Sequence, residues 1–170
     1  MSNVGFRGGS SLFDLGSSQA MAAFFELIRS HPQLLANAGC ELVTDRLYRR
    51  YVRRVDVAST RKILEKVKDV FSGTSSSALL SMLNQVEAMQ GGLDLGADNL
   101  AKVFSRYFDA IEHCMESAEV NFQEFASDPA SSYCYEPVRV VRSQMPAYMM
   151  DKRIPLAAYD DLDGRPFWLQ

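Results

Sequence analysis

In residues 97–126, the apolar side chains Leu100, Phe104, Tyr107, Ile111, Cys114, Ala118, Phe122 and Phe125 follow one another at gaps of three and four. That spacing sets them on one stripe of an α-helix, because residues three and four apart share a face. A stripe of this length has to be covered, so other amphipathic elements must pack along it. About 30 helical residues make a rod of roughly 45 Å. The chain is expected to fold around this segment as its spine.

Four shorter helical patterns precede it. The first begins at Ser17 or Ser18 as N-cap, carries Met21, Phe24, Phe25 and Ile28, and stops before His31 because the residue preceding Pro32 is pushed out of helical geometry. A short helical turn opening at Pro32 and closing at Gly39 leads to a second helix over about 41–57, with Val43, Leu47, Tyr48, Tyr51, Val52 and Val55 as its apolar positions. Ser59 or Thr60 caps a third, with Ile63, Leu64, Val67, Val70 and Phe71 inward and Gly73 as its end. A fourth covers about 75–90, with Leu79, Leu80, Leu83 and Val86 inward and a Gly-Gly pair as its stop.

Both ends differ from this middle. Residues 1–17 are rich in Gly and Ser, hold Phe6 and Phe13 as apolar anchors, and read as a flexible arm, the alternative being a docking peptide whose two Phe side chains find pockets. Residues 127–170 hold five of the six prolines, four of the seven tyrosines and the single Trp168. A segment so apolar has to lie on a surface, so it is expected to wrap across the helices. "YEPVRVVRS" suits a short strand, and the Asp-Gly pair of "YDDLDGRPFWLQ" suits a tight turn whose second arm Pro166 would confine to a sheet edge. The fold class that follows is mainly α. It is a single domain consisting of an arm at 1–17, a bundle of about five helices over 18–126, and an irregular tail over 127–170 with at most one short β-hairpin.

Composition agrees with one globular domain: 170 residues, 47% hydrophobic and 23% charged. Cys40, Cys114 and Cys134 are odd in number and widely spaced, which suggests reduced thiols and a cytoplasmic setting. The most apolar stretch, "AMAAFFELI", is interrupted by Glu26 and falls well short of the ~20 residues that span a bilayer. The first residues lack the apolar core of a signal peptide, and Ser2 does not fit the myristoylation pattern. No membrane insertion is expected.

Charge is distributed in two opposed blocks. Residues 46–68 carry nine bases against Asp56 and Glu65, a local net of +7. Residues 87–136 carry ten acids against Lys102 and Arg106, a local net of −8. On a continuous helix Arg46, Arg49, Arg50, Arg53 and Arg54 form a basic face that could meet a protein or nucleic-acid phosphates. The segment after Ala58 offers Arg61, Lys62, Lys66 and Lys68 but neither Asn nor Gln for reading bases, and the whole chain has a net charge of −3. A protein contact is therefore the expected use. At about 100° per residue, Asp98, Asp109, Glu112, Glu116 and Glu119 share a narrow flank of the spine helix. Like charges at this spacing weaken the helix, so compensation is expected from the chain's own arginines, from water and salt, or from a basic partner.

Motifs for chemistry are absent or incomplete. Asp109, His113 and Glu116 lie on neighbouring turns, but Ala110 stands three positions before His113, where a di-iron Glu-x-x-His motif needs Glu. "DDLDG" lacks the closing Glu of a calcium loop. His113 and Cys114 are adjacent, so their side chains diverge on a helix and cannot act as base and nucleophile. No Gly-rich phosphate loop, nucleophile elbow or zinc-protease motif occurs. No cofactor and no metal are expected. The function this reading favours is non-catalytic protein binding, as in a toxin-neutralising immunity protein, a secretion chaperone, or an adaptor or subunit of a larger secretion or phage assembly. The alternatives are a nucleic-acid-binding regulator using the 46–68 face, and an enzyme with a site formed between helices and tail.

Overall fold

The computed structural model describes residues 3–125, 133–134, 138–143 and 154–155. The fold is mainly α, with a small antiparallel sheet that includes strands within residues 3–17.

That sheet corrects the expectation of a flexible arm. Strands β1 (Asn3–Gly8) and β2 (Ser11–Ser17) form a hairpin in which Phe6 faces Phe13 and Arg7 faces Leu12. Val4 and Phe6 alternate on one face and are completely buried. The glycines that suggested disorder are what let the hairpin dock. Gly9 turns at φ +56°, and a Cβ there would sit 2.4 Å from the backbone of Ser117, while one on Gly8 would meet the backbone of Cys114 at 2.5 Å. Ser10 N–H then donates to Ser117 Oγ at 3.0 Å.

Helix α1 (Ser18–Ser30) starts where its cap residue requires: Ser17 Oγ accepts from the Ala20 N–H at 3.1 Å. It ends at His31, ahead of Pro32, which opens the single turn α2 (Pro32–Leu35). Phe24 of α1 is an aromatic hub, touching Phe25, Phe71, Phe104, Tyr107 and Phe108.

The expected second helix over 41–57 is not continuous. A π-helical turn spans Leu42–Leu47, the chain then extends, and Val52 N–H donates to Val138 O at 2.8 Å. A 3-10 turn, Arg54–Asp56, leads into α3 (Val57–Ser72). Tyr51 and Val52 are both buried. Adjacent side chains of an extended segment enter different surroundings, which one amphipathic helix face could not provide.

Helix α3 buries Leu64, Val67 and Phe71 and ends at Gly73. The expected fourth helix is divided by two caps. Ser75 caps a 3-10 turn, Ser76–Leu79, and Asn84 forms a capping box with Glu87 at the start of α4 (Gln85–Gln90). Leu79 and Leu83 are buried, but Leu80 and Val86 point to solvent, contrary to their expected inward positions.

The spine is also interrupted. Helix α5 (Leu100–Val103), capped by Asn99, stops at Phe104, whose φ −97° and ψ 17° depart from helical values, and α6 (Ser105–Phe125) continues from there. The 21 residues of α6 span about 31 Å. Leu100, Phe104, Tyr107, Ile111, Cys114 and Ala118 are all buried. The side chains of Phe122 and Phe125 lie outside the described residues. Helix α6 packs on β1, β2 and α3.

In the tail, β3 (Tyr133–Cys134) pairs with β5 (Ile154–Pro155). Between them β4 (Arg139–Arg142) joins the sheet, with Phe6 opposite Val140, so the strand order is β2-β1-β4. The turn expected at "DDLDG" lies outside the described residues. No helix among them is long and apolar enough to cross a membrane.

Candidate protein-binding surfaces

The break at Phe104 rearranges the acidic flank. Asp98 precedes the Asn99 cap and is not part of α6. It is exposed and pairs with Lys102 at 2.8 Å, and that hydrogen bond holds its carboxyl below the usual aspartate range. Glu112, Glu116 and Glu119 do share a side of α6, and all three turn toward Arg61 of α3. Glu112 Oε1 accepts from Arg61 Nη2, Glu119 Oε2 lies 3.3 Å from Nη1, and Glu116 Oε1 lies 4.0 Å from Nη2. The hydrogen bond to Glu112, reinforced by the other two carboxylates, holds the Arg61 proton more tightly than usual. The side chain of Glu116 is 58% exposed, the most of the three.

Asp109 sits two turns before Glu116 and borders a shallow depression of about 210 Å³ with Phe13, Asp14, Arg106 and His113. The Asp109 backbone oxygen can only accept, so His113 Nδ1 carries the hydrogen of their 2.8 Å bond. The ring of His113 rests 5.7 Å from that of Phe13. Asp109, His113 and Glu116 do not converge. Among the described residues no group of three metal-binding side chains is found.

The arginines expected to form one basic face do not lie on one continuous helix, because a π-turn and the extended residues after it interrupt the segment. Arg53 bonds Asp56 at 2.7 Å, and Arg50 lies 3.7 Å from Asp45. Arg46 is half-buried in the π-turn. Arg54 belongs to the 3-10 turn, and its side chain lies outside the described residues. Arg49 instead lines a cleft of about 540 Å³ between α1, the π-turn and the segment leading into α4. Its floor is aromatic: Tyr48 stacks on Phe25 with ring centroids 4.5 Å apart, and burial pushes the Tyr48 hydroxyl above the ordinary tyrosine range.

Sequence reasoning did not find this cleft. Its walls come from three segments far apart in the chain, and no linear pattern joins them. The local signal available was the apolar set Leu80, Met82, Val86 and Met89, all of which are exposed.

The Cys114 thiol is buried, and desolvation pushes it up to about 12. In comparisons with family models, curated proteins and solved structures, nothing matches this chain.

Proposed function

We propose that this protein is a non-catalytic binding protein whose α6 presents an acidic face to a basic surface of another protein. The observation that carries this reading is the imbalance at Arg61: three glutamates converge on one guanidinium. Arg61 orients Glu112 and Glu119, while Glu116 faces solvent, with the exposed Asp109 two turns away. Uncompensated charge on a rigid helix raises association rates and selects partners of opposite sign. This face suits an immunity-type protein that covers the basic surface of a toxin, or a subunit seated in a larger assembly. The pairing of Arg50 and Arg53 with their own neighbours weighs against a phosphate-binding face at 46–68.

Affinity capture from a native extract tests the proposal, using wild type and the double variant Asp109→Lys, Glu116→Lys, each with and without nuclease. The expected result is a protein partner that is retained after nuclease, released by high salt, and lost with the double variant. Capture abolished by nuclease, and unaffected by the double variant, would assign binding to nucleic acid and overturn the reading.

A further inference from the structure

Arg29, Arg50, Arg53 and Arg61 each hold a carboxylate. The half-buried Arg49 forms no side-chain hydrogen bond or ion pair with any described residue. It lines the 540 Å³ cleft, where two carboxylates are already engaged: Glu26 by Arg29, and Glu87 by the Asn84 N–H at 2.9 Å. A partly desolvated guanidinium without an anion loses hydration and gains little in return. The same cleft has apolar walls at Ala22, Ala23, Phe25 and Leu83. On α4, which contributes Glu87 to the cleft, Val86 and Met89 are 62% and 71% exposed. A cleft of about 540 Å³ with apolar walls, the flexible Met82 in its lining, and two arginines of which Arg29 is held by Glu26, matches the chemistry of a peptide anchor.

We propose that this cleft docks a peptide segment of a partner protein, one that sets an apolar side chain beside an acidic one. The apolar anchor enters between α1 and Leu83, and the carboxylate accepts two N–H bonds along one edge of the Arg49 guanidinium. The surface is separate from the α6 acids, and the proposal does not depend on them.

The test is to select a displayed random peptide library on the full-length chain. Affinity of the enriched synthetic peptide is then measured by fluorescence polarisation on wild type, Ala22→Trp and Arg49→Glu, with circular dichroism to confirm folding. Enriched peptides should pair a large apolar residue with Asp or Glu. Ala22→Trp fills the cleft and should weaken binding at least about tenfold, as should loss of the charge-assisted contact in Arg49→Glu. A peptide with its acid changed to Lys should regain affinity for Arg49→Glu. Arg49 is half-exposed, so that variant keeps the test open even if Ala22→Trp does not fold. Absence of an acidic-apolar consensus, or affinity indifferent to Arg49→Glu and its compensating peptide, overturns the proposal. So does self-association in sedimentation that Ala22→Trp or Arg49→Glu abolishes, since the cleft would then belong to a second copy of the chain.

Discussion

Phe24 and Phe104 stand with ring centroids 5.0 Å apart, and their contact joins α1 to the break between α5 and α6. Both rings are fully buried, and both also touch Phe71 of α3. Three elements therefore meet at one aromatic cluster. Phe104→Ala should destabilise the protein by about 3–5 kcal/mol, because the site loses ring contacts from three directions and cannot collapse to refill them. Urea denaturation measures this, and a loss below about 1 kcal/mol would contradict the packing described.

The N-terminal hairpin should be indispensable. Deleting residues 1–17 removes Val4 and Phe6 from the core and leaves β4 without its neighbour. The truncated chain is expected to lose cooperative thermal unfolding and to bind a hydrophobic dye. A milder probe is Gly9→Ala. The left-handed backbone and the contact with Ser117 together should cost about 1–3 kcal/mol. A truncated chain that melts like the full one would restore the flexible-arm reading.

Cys114 should make stability depend on alkaline pH. Its folded thiol is raised from an ordinary value near 9.0 to about 12. Below the lower value both folded and unfolded chains keep the proton, and the contribution is fully present. As pH rises further the unfolded chain releases its proton while the native thiol retains it, so stability declines until the native thiol ionises as well. The buried Tyr107 hydroxyl, raised from its ordinary value of 10.0 by desolvation, acts in the same direction at higher pH. Denaturation across this range should show the decline in wild type and a shallower one in Cys114→Ala. An identical slope in the two proteins would exclude Cys114 as its source.

Arg61 contributes more to orientation than to stability. Its partners are half-exposed, and such pairs are worth at most about 1 kcal/mol. Arg61→Ala should therefore lower stability only slightly at low salt, and the difference should shrink as salt screens the three glutamates. Denaturation of both proteins at low and high salt checks this. A loss of several kcal/mol, insensitive to salt, would mean that Arg61 acts chiefly by packing.

Much of the helical content is legible because its signals are local. The stripe from Leu100 to Ala118, the cap at Ser17, the stop at Pro32 and the end at Gly73 each depend on residues within a few positions of one another. The strand near Val138 was also suggested by its β-branched run. The candidate surfaces were less legible. Convergence of Glu112, Glu116 and Glu119 could be read from helical phase, but their meeting with Arg61 needed α3 alongside. Asp98 dropped out because the phase does not continue through Phe104, and the helix expected to carry the basic face is interrupted at the π-turn.

By itself, then, the amino-acid order determined the cap at Ser17, the stop before Pro32, the end at Gly73 and the inward stripe from Leu100 to Ala118, since hydrogen bonds and apolar spacing within a turn or two suffice for those. Tertiary structure alone decided the rest. Gly8 and Gly9 become a docking turn only because Cys114 and Ser117 lie against them, and Phe6 becomes core only because Val140 pairs beside it. Val52 leaves the helix to bond Val138, and Arg49 enters a cleft only because α1 and Leu83 close its other sides. Strand pairing and cleft walls join residues distant in the chain, and a buried backbone group takes whichever partner the assembled fold brings within reach.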